Sequence, residues 1–140
     1  MFVDVGNSAL QVCVVRFTKA GLKILATGFD RNLGGNAFDQ AIFDHFCEEF
    51  KVSQKIDVKS NARASLRLRI AVEKMKKVLS SNPEAPINIE CLMDDKDVRS
   101  SMTREKMEEL TKHLLEALMA PVISAMSESG MTPEDIKAVE

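Results

Sequence analysis

Tryptophan and tyrosine are both absent from these 140 residues, and phenylalanine is the only aromatic side chain present. Without larger rings there is little material for a base-stacking platform, which disfavours single-stranded nucleic acid as a partner. One-sided charge is also missing. Nineteen Lys and Arg stand against 21 Asp and Glu, for a net charge of −2. No global basic field is available to attract nucleic acid or an acidic membrane surface. Cysteines are few, odd in number and far apart, at Cys13, Cys47 and Cys91, with no C-x-x-C pair. That pattern excludes a disulfide framework. His45 and His113 lie at no ligand-like spacing from any of the three, so a zinc site is not expected. The thiols read as reduced core residues of a cytoplasmic protein. No apolar run approaches the ~20 residues that span a bilayer, and no charged-then-apolar leader is seen. Neither nucleic acid nor membrane is therefore expected as a partner. Serine and cysteine residues lack a His-plus-acid arrangement, so no catalytic nucleophile is assigned.

What is present begins with a carboxylate beside a glycine turn. Phe2-Val3-Asp4-Val5-Gly6-Asn7-Ser8 leads into the apolar run Val12-Cys13-Val14-Val15. A plain β-hairpin is one reading, since Gly-Asn between two apolar runs is a common turn signal. The other is a turn that holds a hydrated metal ion and a phosphate, with Asp4 beside the backbone N–H groups. A second glycine pair, Gly34-Gly35, precedes a helix. It is either a connection that needs positive φ or a point where backbone amides closely approach a phosphate.

The periodicities predict strands over 2–5, 11–17 and 22–29 as a meander, the second covered on both faces. A helix over 36–50 carries Phe38, Ala41, Ile42, His45, Phe46 and Phe50 on one stripe, His45 and His113 being structural. A polar linker spans 51–60 and a second helix 61–81. Strands at 87–92 and 97–101 flank an Asp94-Asp95 turn. A long helix over 104–128 is kinked at Pro121 and stopped by Gly130, with a cap at Thr132-Pro133-Glu134-Asp135. The chain opens inside a strand and closes, at 136–140, on another just beginning, so it reads as a piece of something larger.

On the second helix, Leu68, Val72, Met75 and Leu79 form an inward apolar seam. Arg69, Glu73, Lys76 and Ser80 share another face, flanked by Lys77. A solvated face with a Glu73–Lys77 pair is one reading. A cationic, hydroxyl-bearing edge toward the sugar and base of a ligand is the other.

These pieces together resemble the ATPase domain of the seventy-kilodalton heat-shock protein superfamily. Asp4-Val5-Gly6-Asn7-Ser8 falls on that family's second phosphate hairpin, Leu33-Gly34-Gly35-Asn36-Ala37-Phe38-Asp39 on its Leu-Gly-Gly-Glu-Asp-Phe-Asp run, and Arg67 to Ser81 on its adenosine-contacting helix. The Asp-x-Gly-Asn-Ser hairpin and the stretch from Asn88 to Val98 resemble the large, hundred-and-ten-kilodalton branch. The resemblance implies an α/β, actin-like (ribonuclease H-like) fold. The chain would supply part of the second lobe, with 1–33 and 112–140 in its core and 34–111 as an inserted α+β upper subdomain. It also implies ATP or ADP with Mg2+ as cofactors. Asp4 would reach the metal through water, and Gly6, Asn7 and Ser8 would face the phosphates. Gly34 and Gly35 would line the cleft, while Glu73, Lys76, Lys77 and Ser80 would contact ribose and adenine. Implied partners are a seventy-kilodalton chaperone, for which the parent is a nucleotide-exchange factor, and unfolded clients that it holds.

The alternatives are an ATP-hydrolysing chaperone or an inactive truncated fragment. Ala9 and Gln11 stand where the family carries a hydroxyl and a second aspartate. Positioned charge supplies most phosphoryl-transfer catalysis, so slow hydrolysis at most is expected. The first phosphate hairpin and the glycine-rich Arg-Ile-Pro loop are absent from these residues. The chain alone is expected to bind nucleotide weakly or negligibly and to turn none over.

Overall fold

The computed structural model describes residues 1–140. It is mixed α/β, and it divides into two compact units, Met1–Ala37 with His113–Glu140, and Phe38–Lys112.

In the first unit, β1 (Phe2–Val5), β2 (Leu10–Thr18) and β3 (Gly21–Asp30) form an antiparallel meander in that order. Alternation puts Leu10, Val12 and Val14 on one buried face, where they cluster with Leu33 and Ala125. Ala125 belongs to α4 (Met119–Ser129). The packing is close: a Cβ added to Gly28 of β3 would run into the Pro121 carbonyl. The opposite face is open. Gln11 and Phe29 are exposed and Cys13 only half-buried. The expectation that β2 is covered on both sides therefore fails, because within this unit the cluster buries one face only, and an antiparallel sheet tolerates a solvated second face.

The long helix expected over 104–128 is two helices, α3 (Arg104–Ala117) and α4. A proline ring collides with the carbonyl four residues back. For Pro121 that residue is Ala117, where α3 ends. Pro121 then lies in the first turn of α4, where a missing N–H leaves nothing unsatisfied. Gly130, at φ 66°, ends α4. The Asp135 carboxylate accepts from the N–H and hydroxyl of Thr132, capping a single 3-10 turn. Residues 136–140 form no assigned strand, yet they run beside β1. The Val3 N–H donates to the Glu140 carbonyl (2.8 Å) and the Glu140 N–H to that of Met1 (3.0 Å).

The helix α1 (Gly35–Gln54) starts in the first unit and runs from Phe38 onward in the second, where it packs with α2 (Ala62–Leu79) and the hairpin β4 (Glu84–Met93) and β5 (Lys96–Thr103). The supposed linker is partly helical. α1 continues to Gln54 and ends where Lys55 takes φ 59°, and a 3-10 turn covers Val58–Ser60. Asn61 caps α2 by accepting from the N–H groups of Arg63 and Ala64. The α2 seam of Leu68, Val72, Met75 and Leu79 is buried as expected. The buried α1 face is Ile42, Phe43, Phe46, Cys47 and Phe50. His45 is not in that core: it is half-buried, edge-on to Phe46 and 3.6 Å from Glu49. His113 is exposed.

Asp94 and Asp95, at φ 52° and 54°, make the two-residue turn between β4 and β5. Just before it the register slips, and Cys91 bulges out at φ 43°. That bulge leaves Cys91 exposed, so of the three thiols expected in the core only Cys47 is buried. Arg67 braces the bulge by donating to the carbonyls of Cys91 and Glu90, each at 2.7 Å, and the Cys91 N–H donates to Asp97 (2.9 Å).

Candidate functional site

Val5 and Leu10 are the last paired residues of β1 and β2, leaving residues 6–9 as the loop. The Gly6 N–H donates to the Ala9 carbonyl at 2.9 Å and closes the turn. The loop carbonyls accept from the start of α1, Gly35 N–H to Gly6 at 3.0 Å and Asn36 N–H to Asn7 at 2.8 Å. A Cβ on Gly34 would lie 2.7 Å from the carbonyl oxygens of both Gly6 and Asn7, and 2.8 Å from the Ala9 nitrogen. Glycine at 34 is thus required by close approach. Neither Gly34 nor Gly35 has positive φ, so that reading of the pair is set aside. The amides of Gly6 and Gly35 are engaged within the protein, whereas those of Asn7 and Ser8, both exposed, meet no protein acceptor.

Asp4 is exposed on β1 and lies opposite Gln11 of β2. Both line a cavity of about 630 Å³ on the open face of the sheet, together with Ala9 and Arg31. No group of three or more potential metal ligands occurs in the chain. Asp4 is one carboxylate, which fits an outer contact to a hydrated magnesium ion whose other ligands are phosphate oxygens and water. It does not fit an all-protein cage.

On α2, Lys76 Nζ lies 2.7 Å from Asp39 Oδ2 on α1, and the two side chains are 25 % and 17 % exposed. Arg69 also turns toward α1, donating to Gln40 and sitting 4.1 Å from the Phe43 ring centre. Lys77 pairs with Glu73 at 2.7 Å on the surface. The hydrogen bond from Lys77 holds the Glu73 carboxyl below its usual range, and Glu73 raises Lys77 in return. Ser80 is the residue capping the C-terminus of α2, and its hydroxyl donates to the Lys77 carbonyl. Two of the three cations of that edge therefore face carboxylates, Lys77 that of Glu73 on α2 and Lys76 that of Asp39 on α1. Those partners are local ion pairs of the kind that form wherever acid and base meet across a helix turn or a helix pair.

A model of the family described as Hsp70 protein matches residues 1–140, the whole chain. The chain belongs to that family. It is 53 % identical over 139 residues to heat shock 70 kDa protein 14 of Arabidopsis thaliana, covering 99 % of this chain and 17 % of that protein. Against a heat shock protein homolog of Naumovozyma castellii it is 49 % identical over 139 residues, 99 % of this chain and 20 % of the other. Against human heat shock 70 kDa protein 4L it is 48 % identical over 141 residues, 100 % of this chain and 17 % of the other. Such relatives belong to the large, hundred-and-ten-kilodalton branch of the Hsp70 family. The chain spans about a fifth of their length or less.

Sequence reasoning read Asn36 and Asp39 only as members of the run from Leu33 to Asp39 and gave neither a contact. Asn36 supplies a backbone donor, which leaves no mark in residue identity. Asp39 had a usable signal: an acid early in one helix, with lysines along the next helix that could pair with it.

Proposed function

We propose that these residues are part of the nucleotide-binding domain of a large heat-shock cochaperone with the actin-like fold. In this reading the parent polypeptide works in the cytoplasm as nucleotide-exchange factor for seventy-kilodalton chaperones and as a holdase for unfolded clients. Residues 1–33 and 112–140 are core parts of its second lobe, and 34–111 are an inserted upper subdomain. The observation that carries the reading is whole-chain similarity to Hsp70-family relatives of the large branch.

The outward amides of Asn7 and Ser8 take phosphate oxygens of ATP or ADP. Gly6, Gly34 and Gly35 shape the loop that presents them, and Asp4 contacts hydrated Mg2+ through water. Glu73, Lys76, Lys77 and Ser80 contact ribose and adenine. Binding needs only backbone and helix groups of this kind. Turnover needs positioned charge, and Ala9 and Gln11 remove two such groups from the cavity that Asp4 lines. Slow hydrolysis at most follows.

Calorimetry of ADP·Mg2+ with the full-length polypeptide tests this. Micromolar affinity, reduced about tenfold or more by Lys76→Ala, supports the reading. No nucleotide binding by the full-length polypeptide contradicts it. Micromolar ATP affinity for the 140 residues alone contradicts the claim that they form only part of the site.

A further inference from the structure

Arg31 is the one lysine or arginine among the residues lining the cavity on the open face of the sheet. Its place follows from strand register. Leu10 pairs with Asp30 at the end of the β2–β3 ladder, so Arg31 is the first residue past it, level with Ala9 of the glycine loop. The Asp30 carboxylate accepts from the Asn32 N–H at 2.8 Å, a local turn that fixes the backbone on either side of Arg31. The Arg31 guanidinium lies 5.5 Å from the Phe29 ring centre. A cation–π contact draws on the charge and needs none of the five N–H donors. The ion pairs of the chain all join other residues. Arg31 thus brings an uncompensated cation to the cavity.

The same cavity is poor in negative charge. Asp4 is the one carboxylate that lines it, since Gln11 stands opposite Asp4 and Ala9 offers no hydroxyl. A single carboxylate leaves a magnesium ion to be held mainly by water and phosphate oxygens. Phosphate must therefore reach into the cavity if Asp4 is to meet the metal. In a nucleoside triphosphate the metal bridges the β- and γ-phosphates. A guanidinium is suited to the oxygens that remain, because its fork presents two parallel N–H groups to one phosphate.

We propose that Arg31 binds the γ-phosphate of ATP, and is the residue by which this site tells a triphosphate from a diphosphate. The assignment rests on the nucleotide reading above. The amides of Asn7 and Ser8 serve phosphates that ATP and ADP share, and Arg31 serves the one they do not. Its contact is solvent-exposed, so it tunes affinity for ATP and is not the main anchor of the nucleotide.

Calorimetry on the full-length polypeptide with ATP and with ADP, each with Mg2+, is the test. Arg31 is exposed, so substitutions there leave the core undisturbed. Arg31→Gln keeps a polar side chain and removes the charge. It should weaken ATP about fivefold and leave ADP unchanged. Arg31→Lys keeps the charge without the fork, and should show a smaller loss, again confined to ATP. Added salt should weaken ATP binding more steeply in wild type than in Arg31→Gln, which has one charge contact fewer. If Arg31→Gln weakens both nucleotides equally, or neither, while wild type binds both, the γ-phosphate contact is overturned and the nucleotide reading stands. A wild type that binds neither nucleotide overturns both.

Discussion

Gly34 stands so close to Asn7 that a single added carbon on Gly34 would lie 2.7 Å from the Asn7 carbonyl oxygen. The same carbon would meet the Gly6 oxygen and the Ala9 nitrogen, all three of them backbone atoms that cannot swing aside. Gly34→Ala should therefore cost about 1–3 kcal/mol, the range for overpacking a tight contact, read from urea unfolding. Amide exchange at Asn36, whose N–H donates to Asn7, should accelerate in the same variant. Gly6→Ala is the control. Its Cβ would lie 3.3 Å from the Ala9 oxygen, so a smaller loss is expected.

Arg67 braces a strained bulge from a neighbouring helix. Its two donors hold the carbonyls of Glu90 and Cys91, while Cys91 sits at positive φ. Removing them with Arg67→Met keeps most of the apolar stem and should cost about 1–2 kcal/mol. Hydrogen exchange should rise at residues 90–92 and stay unchanged in β1–β3. Equal acceleration in both units would contradict a local brace.

The three thiols should react in order of their surroundings. Burial pushes the Cys47 thiol up to about 11 from 9.0, so it is protonated at neutral pH and shielded from reagents. A thiol reagent at pH 7.5 should label Cys91 within minutes and Cys13 more slowly. Cys47 should be labelled only on unfolding. The linked effect on stability has a definite sign. The folded state holds the Cys47 proton more tightly than the unfolded state, so its contribution is fully present below pH 9 and is lost as pH rises toward 11. Cys47→Ala should flatten that part of the pH–stability curve.

Much of this architecture was legible because it is written in period and punctuation. The strands around Gly6 and the seam from Leu68 to Leu79 follow from alternation and 3.6-residue spacing. The Gly130 stop and the Asp94-Asp95 turn follow from residues that tolerate positive φ. The break before Pro121 was misplaced because the collision acts on the carbonyl four residues earlier, so the helix ends upstream of the proline itself. Cys91 and the open face of β2 were misread because exposure there depends on which layers cover an element, information that no local pattern carries. Among the candidate site residues, Asp4, Gly34 and Lys76 were singled out by their motifs. The backbone bonds joining Gly35 and Asn36 to the hairpin could not be, since any residue supplies the same N–H.

The central claim is that the loop at Asn7 and Ser8 and the edge from Glu73 to Ser80 serve the same adenine nucleotide. Hydrogen exchange by mass spectrometry on the full-length polypeptide, titrated with ADP·Mg2+, tests it most directly. The account predicts that peptides covering residues 4–9 and 73–80 are slowed together, with the same half-saturating concentration. Slowing of one stretch without the other, or of neither when ADP is bound, would contradict it.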